Sequence, residues 1–152
     1  DLIALYSSDA VYAAQSAHFY IFEPIGEAIG EDLFGAEWEE ELTDNELALT
    51  LVRTLEDFMG DIEQFLEDFM VKKTVDAIAS ASVIFYVRCL LLKAESHNSV
   101  KVSCFNDNAK ALERISGDIQ IMRDYFEELV PNMPALGRVI EQEFEILTTI
   151  HE

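Results

Sequence analysis

Basic residues are scarce in this chain. Ten lysines and arginines face thirty aspartates and glutamates, for a formal net charge of -20. Nucleic-acid binding draws its affinity from clustered Lys and Arg on phosphates, so this balance excludes a direct nucleic-acid partner. It equally opposes unaided docking on an anionic membrane leaflet. Cysteine is nearly absent. Cys89 and Cys104 are too few for a disulfide framework, which points to a reducing cytosolic compartment with Cys89 as a buried free thiol. The six glycines are isolated, so no phosphate-cradling loop is present. No uninterrupted apolar run approaches the roughly 20 residues of a membrane span; the longest, Val83 to Leu92, is cut by Arg88. The chain opens at Asp1 without the basic start of a signal peptide and reads as a processed chain or a fragment of something longer.

Catalytic and metal chemistry find little support. A carboxylate-bridged di-metal bundle requires Glu-x-x-His pairs, and none of His18, His97 and His151 has a Glu three residues before it. The acids between Glu23 and Glu41 lack the spacing of a calcium loop. Ser96-His97 is a loop pair with no third group to orient it. Cys104 lies near Lys101, an arrangement that activated thiols use; a partly buried loop residue is the plainer reading. No catalytic, cofactor-binding or metal residue is therefore expected.

What the chain has in abundance is helical periodicity. Half its residues are hydrophobic, enough for one domain with a sizeable core. The apolar positions 51, 55, 58, 62, 65 and 69 advance by three and four, one face of a helix. Residues 2–22 read as a buried helix starting near Ser7-Ser8-Asp9 and ended or kinked by Pro24. A short amphipathic piece covers Ile25 to Phe34, and Glu37 to Leu42 is an acidic linker carrying the lone Trp38. Thr43 and Glu46 fit a capping box for a helix from Asp44 to about Phe58, with a bend allowed at Gly60. A second helix spans Asp61 to about Ala94, continuous or broken near Lys73-Thr74. Glu95 to Phe105 reads as a loop. Asp107 then caps a helix to Leu129 with a stripe of Leu112, Ile115, Ile119, Met122, Phe126 and Leu129. A last helix runs from about Pro134 to Ile150, turning Leu136, Val139, Ile140, Phe144 and Leu147 inward. No segment alternates with period two, so the expected class is all-α, an antiparallel bundle or stacked helical hairpins.

The charge is uneven. Glu23 to Asp68 holds most of the acid against Arg53 alone. A solvated acidic face accounts for this; an electrostatic handle for a basic partner is the alternative. Arg88, among apolar neighbours, is expected to pair with a carboxylate or to snorkel.

Thr54-Leu55-Glu56-Asp57-Phe58 and Asp61, followed some 25 residues on by Tyr86-Val87-Arg88 and Lys93, resemble the C-terminal region of the exocyst subunit Sec6. Phe105-Asn106 and Ile119 to Phe126 are similar to a downstream segment of that family. The resemblance covers about Leu51 to Ile150. Around Lys72 and Lys73 the chain is less basic than the family tends to be. The resemblance implies a stacked-helix domain over residues 1–152, the C-terminal part of a longer chain. It implies a non-enzymatic scaffold without cofactor, in the cytoplasm and peripheral at the plasma membrane. There it would help dock secretory vesicles before SNARE-mediated fusion, with other exocyst subunits and SNARE proteins as partners. Thr54, Glu56, Asp57, Phe58, Asp61, Tyr86, Arg88 and Lys93 are its motif positions, structural or part of an interaction surface. The rival reading is a stand-alone acidic bundle enclosing an apolar ligand or partner helix, with Tyr12, Phe19, Tyr20 and Phe22 about the pocket.

Overall fold

A computed structural model describes residues 2–40, 44–96 and 104–151. Seven helices follow in order: α1 (Leu2–Ser16), α2 (His18–Ile29), α3 (Ala36–Glu40), α4 (Glu46–Phe65), α5 (Asp68–Ser96), α6 (Asn108–Leu129) and α7 (Leu136–His151). No strand occurs among the described residues, and the all-α expectation holds. The helix contacts close a ring: α2 packs on α4, α4 on α6, α6 on α7, α7 on α5, and α5 on α2. The short connection between α6 and α7 makes that pair an antiparallel hairpin. α1 is appended outside the ring, mainly against α5, and the short α3 lies against α6.

The core inside the ring is apolar and closed. Leu51, Leu55, Val75, Ile78, Tyr86, Met122, Phe126, Leu136, Ile140, Phe144 and Leu147 are each buried. α7 turns Leu136, Ile140, Phe144 and Leu147 inward at steps of three and four, as its sequence predicts, with Val139 half-buried beside them. α5 is apolar around most of its circumference because neighbours cover it from several sides: α7, α1 and α2 all touch it. By length and composition Asp68–Glu95 would suffice to cross a membrane, although no continuous apolar run in it is long enough. Val71, Val75, Ile78, Ala79, Val83 and Tyr86 of this helix lie in the protein core.

Several expected boundaries move. The first helix begins at Leu2, not at Ser7 to Asp9. It breaks at Ala17, where backbone bonds from Ala17 to Ala14 and from Tyr20 to Ala17 tighten the ladder to three-residue steps. Pro24 does not end the helix; it sits inside α2. The carbonyl it deprives of a donor belongs to Tyr20, an exposed residue within reach of water. Nor is this region buried. In α1 only Ala14 is buried, while Leu2, Ile3, Leu5, Tyr6 and Tyr12 are all exposed. The helix lies outside the ring and only one narrow side of it meets α5.

α4 runs straight through Gly60, where an added Cβ would meet nothing within 4 Å. The chain turns instead at Leu66, whose backbone is extended, and α5 continues through Lys73-Thr74 unbroken. The turn comes where the apolar stripe leaves the core: Phe65 is 75% exposed and Phe69 57%. The expected capping box involves Thr43, which lies outside the described residues; the Glu46 carboxylate lies 3.7 Å from Arg53 at the surface. On α6 the Asp107 carboxylate accepts from the backbone N–H groups of Ala109 and Lys110 at 3.0 and 3.1 Å, the cap its sequence predicts. The inward face of α6 is rotated from the expected stripe, however. Ala111 is buried and Leu112 exposed, and Arg114 and Asp118 point inward with Ile115 and Met122.

Candidate functional site

The segment expected to be an acidic linker forms the centre of a polar and aromatic clasp. Trp38 of α3 is buried, and its indole N–H donates to Asp118 Oδ2 at 3.0 Å. Tyr86 of α5 donates its hydroxyl to the same oxygen at 2.7 Å. The other carboxylate oxygen accepts from Asn45 Nδ2 at 2.7 Å, and the same amide also donates to the Arg114 carbonyl at 2.8 Å. Asn45 precedes α4 but makes no side-chain cap there; its amide is committed to α6. Asp118 therefore ties together α3, the entry to α4, α5 and its own helix α6. A Cβ at Gly117 would lie 2.8 Å from Asn45 Nδ2, so the absent side chain is what admits this amide.

Aromatic packing surrounds the node. Phe34 is fully buried, with ring centroids 4.9 Å from Trp38, 5.0 Å from Tyr86 and 6.3 Å from Phe105. Its φ of 64° is the only positive value at a non-glycine among the described residues. The left-handed backbone turns the chain from α2 into α3 and aims the ring inward, at a strain of about 1–2 kcal/mol. The Arg114 guanidinium lies 5.5 Å from the Trp38 ring centre, a cation–π distance. Beside Trp38, the Glu39 carboxylate accepts from the Asn106 backbone N–H at 2.8 Å and lies 3.4 Å from Lys93 Nζ. Lys93 in turn sits 5.6 Å from the centre of the Phe105 ring.

Burial raises the Asp118 carboxyl above the ordinary carboxylate range, although its three donors and nearby Arg114 pull the other way. Burial, together with the Asp118 carboxylate, also pushes Tyr86 far up, so it remains a donor at neutral pH. Burial raises Asp76 on α5 too, against the opposing pull of Lys73. An acid with a raised folded-state value holds its proton more tightly when folded. Asp118 and Asp76 therefore favour the folded state at the acidic end of their window and lose that contribution as pH rises from the ordinary carboxylate value through the raised one. The expected result is that Asp118→Asn costs more stability near pH 4 than near pH 7, measured by denaturant midpoints at both. A penalty that grows with pH would contradict it.

The motif positions divide between two places. Tyr86 and Lys93 meet in the clasp. Thr54, Glu56, Asp57, Phe58 and Asp61 lie along α4, away from it. Thr54 is half-buried and its hydroxyl donates back to the Thr50 carbonyl at 2.8 Å, while Phe58 packs half-buried on the core. Glu56, Asp57 and Asp61 are exposed. Arg88 is exposed on a different side of α5 from Tyr86 and has no ion pair among the described residues, so of the two expectations for it the surface position holds and the pairing does not. Cys89 is a buried free thiol whose pKa burial raises despite Arg88 next to it, and Cys104 is also free. The proposed neighbour of Cys104, Lys101, and His97 lie outside the described residues. Among the described residues no three His, Cys, Asp or Glu side chains converge as a metal site. The rival pocket is not enclosed, since Tyr12, Phe19 and Tyr20 are 73%, 67% and 79% exposed. Phe19 and Phe22 line an open groove beside α5 instead.

A closed helical ring held by a buried clasp around Asp118, with most of its other acids exposed, defines an all-helical bundle. The family model of the exocyst complex component Sec6 matches residues 21–152. The chain belongs to the Sec6 family, a non-enzymatic tethering component of the exocyst. The match takes in α2 from Ile21 onward, the other four ring helices and the clasp, and leaves α1 outside it. No curated protein and no solved structure matches the chain.

Proposed function

We propose that this chain is a helical-bundle module of an exocyst-type tethering subunit. It helps hold secretory vesicles at the plasma membrane before SNARE-mediated fusion, and it acts by surface complementarity without catalysis. The family match over residues 21–152 carries this reading. In this reading the bundle spans residues 1–152 as one domain, the C-terminal part of a longer cytoplasmic chain that is peripheral at the plasma membrane and on vesicles. Other exocyst subunits and SNARE proteins are its partners. Of the motif positions, Glu56, Asp57 and Asp61 are solvent-facing on α4 and are available to a basic partner, whereas Tyr86 and Lys93 hold the fold. Depleting the protein from cells should cause undocked secretory vesicles to accumulate near the plasma membrane in electron micrographs. Normal vesicle numbers and undiminished secretion after depletion would overturn the proposal.

A further inference from the structure

Outside the ring, α2 and α5 leave between them a half-open groove of about 530 Å³. α2 contributes Phe19, Phe22 and Gly26, and α5 contributes Ile84, Phe85 and Leu92. These positions recur at helical spacing on each helix, so each presents one continuous face to the groove. Neither face is fully covered: Phe19, Ile84 and Leu92 are 67%, 63% and 55% exposed. At the floor, a Cβ on Gly26 would lie 3.8 Å from Phe85, so the bare glycine leaves room beside that ring. Two adjacent helices with their facing stripes open form a seat for the ridge of a third helix.

The charges along the groove select the occupant. On the α2 edge, Glu23 and Glu31 line it, with exposed Glu27 between them at the same four-residue spacing. On the α5 edge stands Arg88, with no ion pair among the described residues. A second copy of this chain would set one net charge of -20 against another. An anionic lipid surface meets the same repulsion. We infer that the groove is a docking site for a basic amphipathic helix of a protein partner. Its apolar face fills the groove, its lysines or arginines face Glu23 and Glu31, and one carboxylate lies opposite Arg88.

The test uses the full-length protein and a fluorescent synthetic helix with a leucine face, lysine flanks and a single glutamate. A charge-inverted leucine–glutamate twin and a scrambled sequence serve as comparisons, with binding read by anisotropy. The leucine–lysine helix should bind about tenfold or more tighter than either comparison. Ile84→Glu and Leu92→Glu should each weaken it about tenfold, as loss of a central apolar anchor does. Glu23→Lys with Glu31→Lys should weaken it as well. Ile84→Glu is decisive, because it adds negative charge: attraction by net charge alone predicts tighter binding and would overturn the inference. Equal binding of the scrambled helix would overturn it, as would a wild-type dimer in sedimentation that Ile84→Glu abolishes. Co-sedimentation of the wild-type protein with anionic vesicles, lost in Ile84→Glu, would do the same. These surface substitutions should leave helicity by circular dichroism unchanged; if one does not, the remaining variants decide the outcome. Failure here would leave the vesicle phenotype of depletion standing, so the two proposals fall separately.

Discussion

Asp118→Ala should destabilise the fold by about 3–5 kcal/mol, more than any surface change. The carboxylate is fully buried and satisfies donors from Trp38, Tyr86 and Asn45, on three separate segments. Its removal orphans the buried Trp38 and Tyr86 donors and one N–H of half-buried Asn45, and each buried orphaned donor costs about 1–3 kcal/mol. A protein of this size should lose roughly 10 °C or more in Tm. The isosteric Asp118→Asn separates hydrogen bonding from shape. If the amide oxygen takes the place of Oδ2, Trp38 and Tyr86 stay satisfied, but the amide nitrogen then faces the Asn45 amide nitrogen. Reversing Asn45 to accept that bond sacrifices its bond to the Arg114 carbonyl. One bond is lost in either arrangement, so the expected cost is about 1–2 kcal/mol. Equal losses for the two variants, or a loss under about 1 kcal/mol for Asp118→Ala, would show that the clasp does not hold the ring.

Phe34→Ala should cost a similar amount, about 3–5 kcal/mol, by opening a cavity where three aromatic rings converge. Trp38, Tyr86 and Phe105 would each lose a ring neighbour at 4.9 to 6.3 Å. The positive φ adds a second expectation. Alanine keeps a Cβ and so keeps the strain of the left-handed backbone, whereas glycine relieves it. Phe34→Gly should therefore be no less stable than Phe34→Ala, although glycine ordinarily loses more chain entropy on folding. Denaturant midpoints of the two variants decide this. A glycine variant clearly worse than the alanine variant would mean that the backbone at residue 34 relaxes out of the left-handed region.

Much of the ring was legible in local pattern. The Asp107 cap, the extent of α6 and the inward face of α7 follow from residues a few positions apart, where periodicity and capping operate. The clasp was not legible, because its bonds join residues that are distant in sequence. Trp38 and Asp118 are 80 positions apart, and nothing near Trp38 announces its acceptor. One signal did exist. Asp118 stands three residues after Ile115 and four before Met122, on the inward stripe itself, where a carboxylate requires buried donors. A stripe drawn through Leu112 and Ile119 passed it over. Asn45 carried no signal of its role: a residue type that ordinarily caps its own helix reaches another instead. The apolar residues of α1 misled. Their hydrophobicity suggested burial, but burial depends on what lies opposite, and the ring closes without that helix.

The groove and the clasp lie on different sides of α5. Tyr86 and Lys93 face the clasp, while Ile84, Arg88 and Leu92 face outward to the groove. One helix thus fixes the interior and offers a surface, as a scaffold that works by contact requires. The exposed acids of α4 are a second surface, and reversing Glu56, Asp57 and Asp61 to lysine should leave stability within about 0.5 kcal/mol per site.

The most direct measurement of the central claim is affinity purification of the tagged full-length protein from cells, with quantitative mass spectrometry of what accompanies it. Membership in a tethering complex predicts recovery of other exocyst subunits at levels comparable to the tagged chain, and their loss from the Asp118→Ala variant as the bundle unfolds. Recovery of the wild-type protein, intact and folded, with no exocyst subunit beside it would contradict the account.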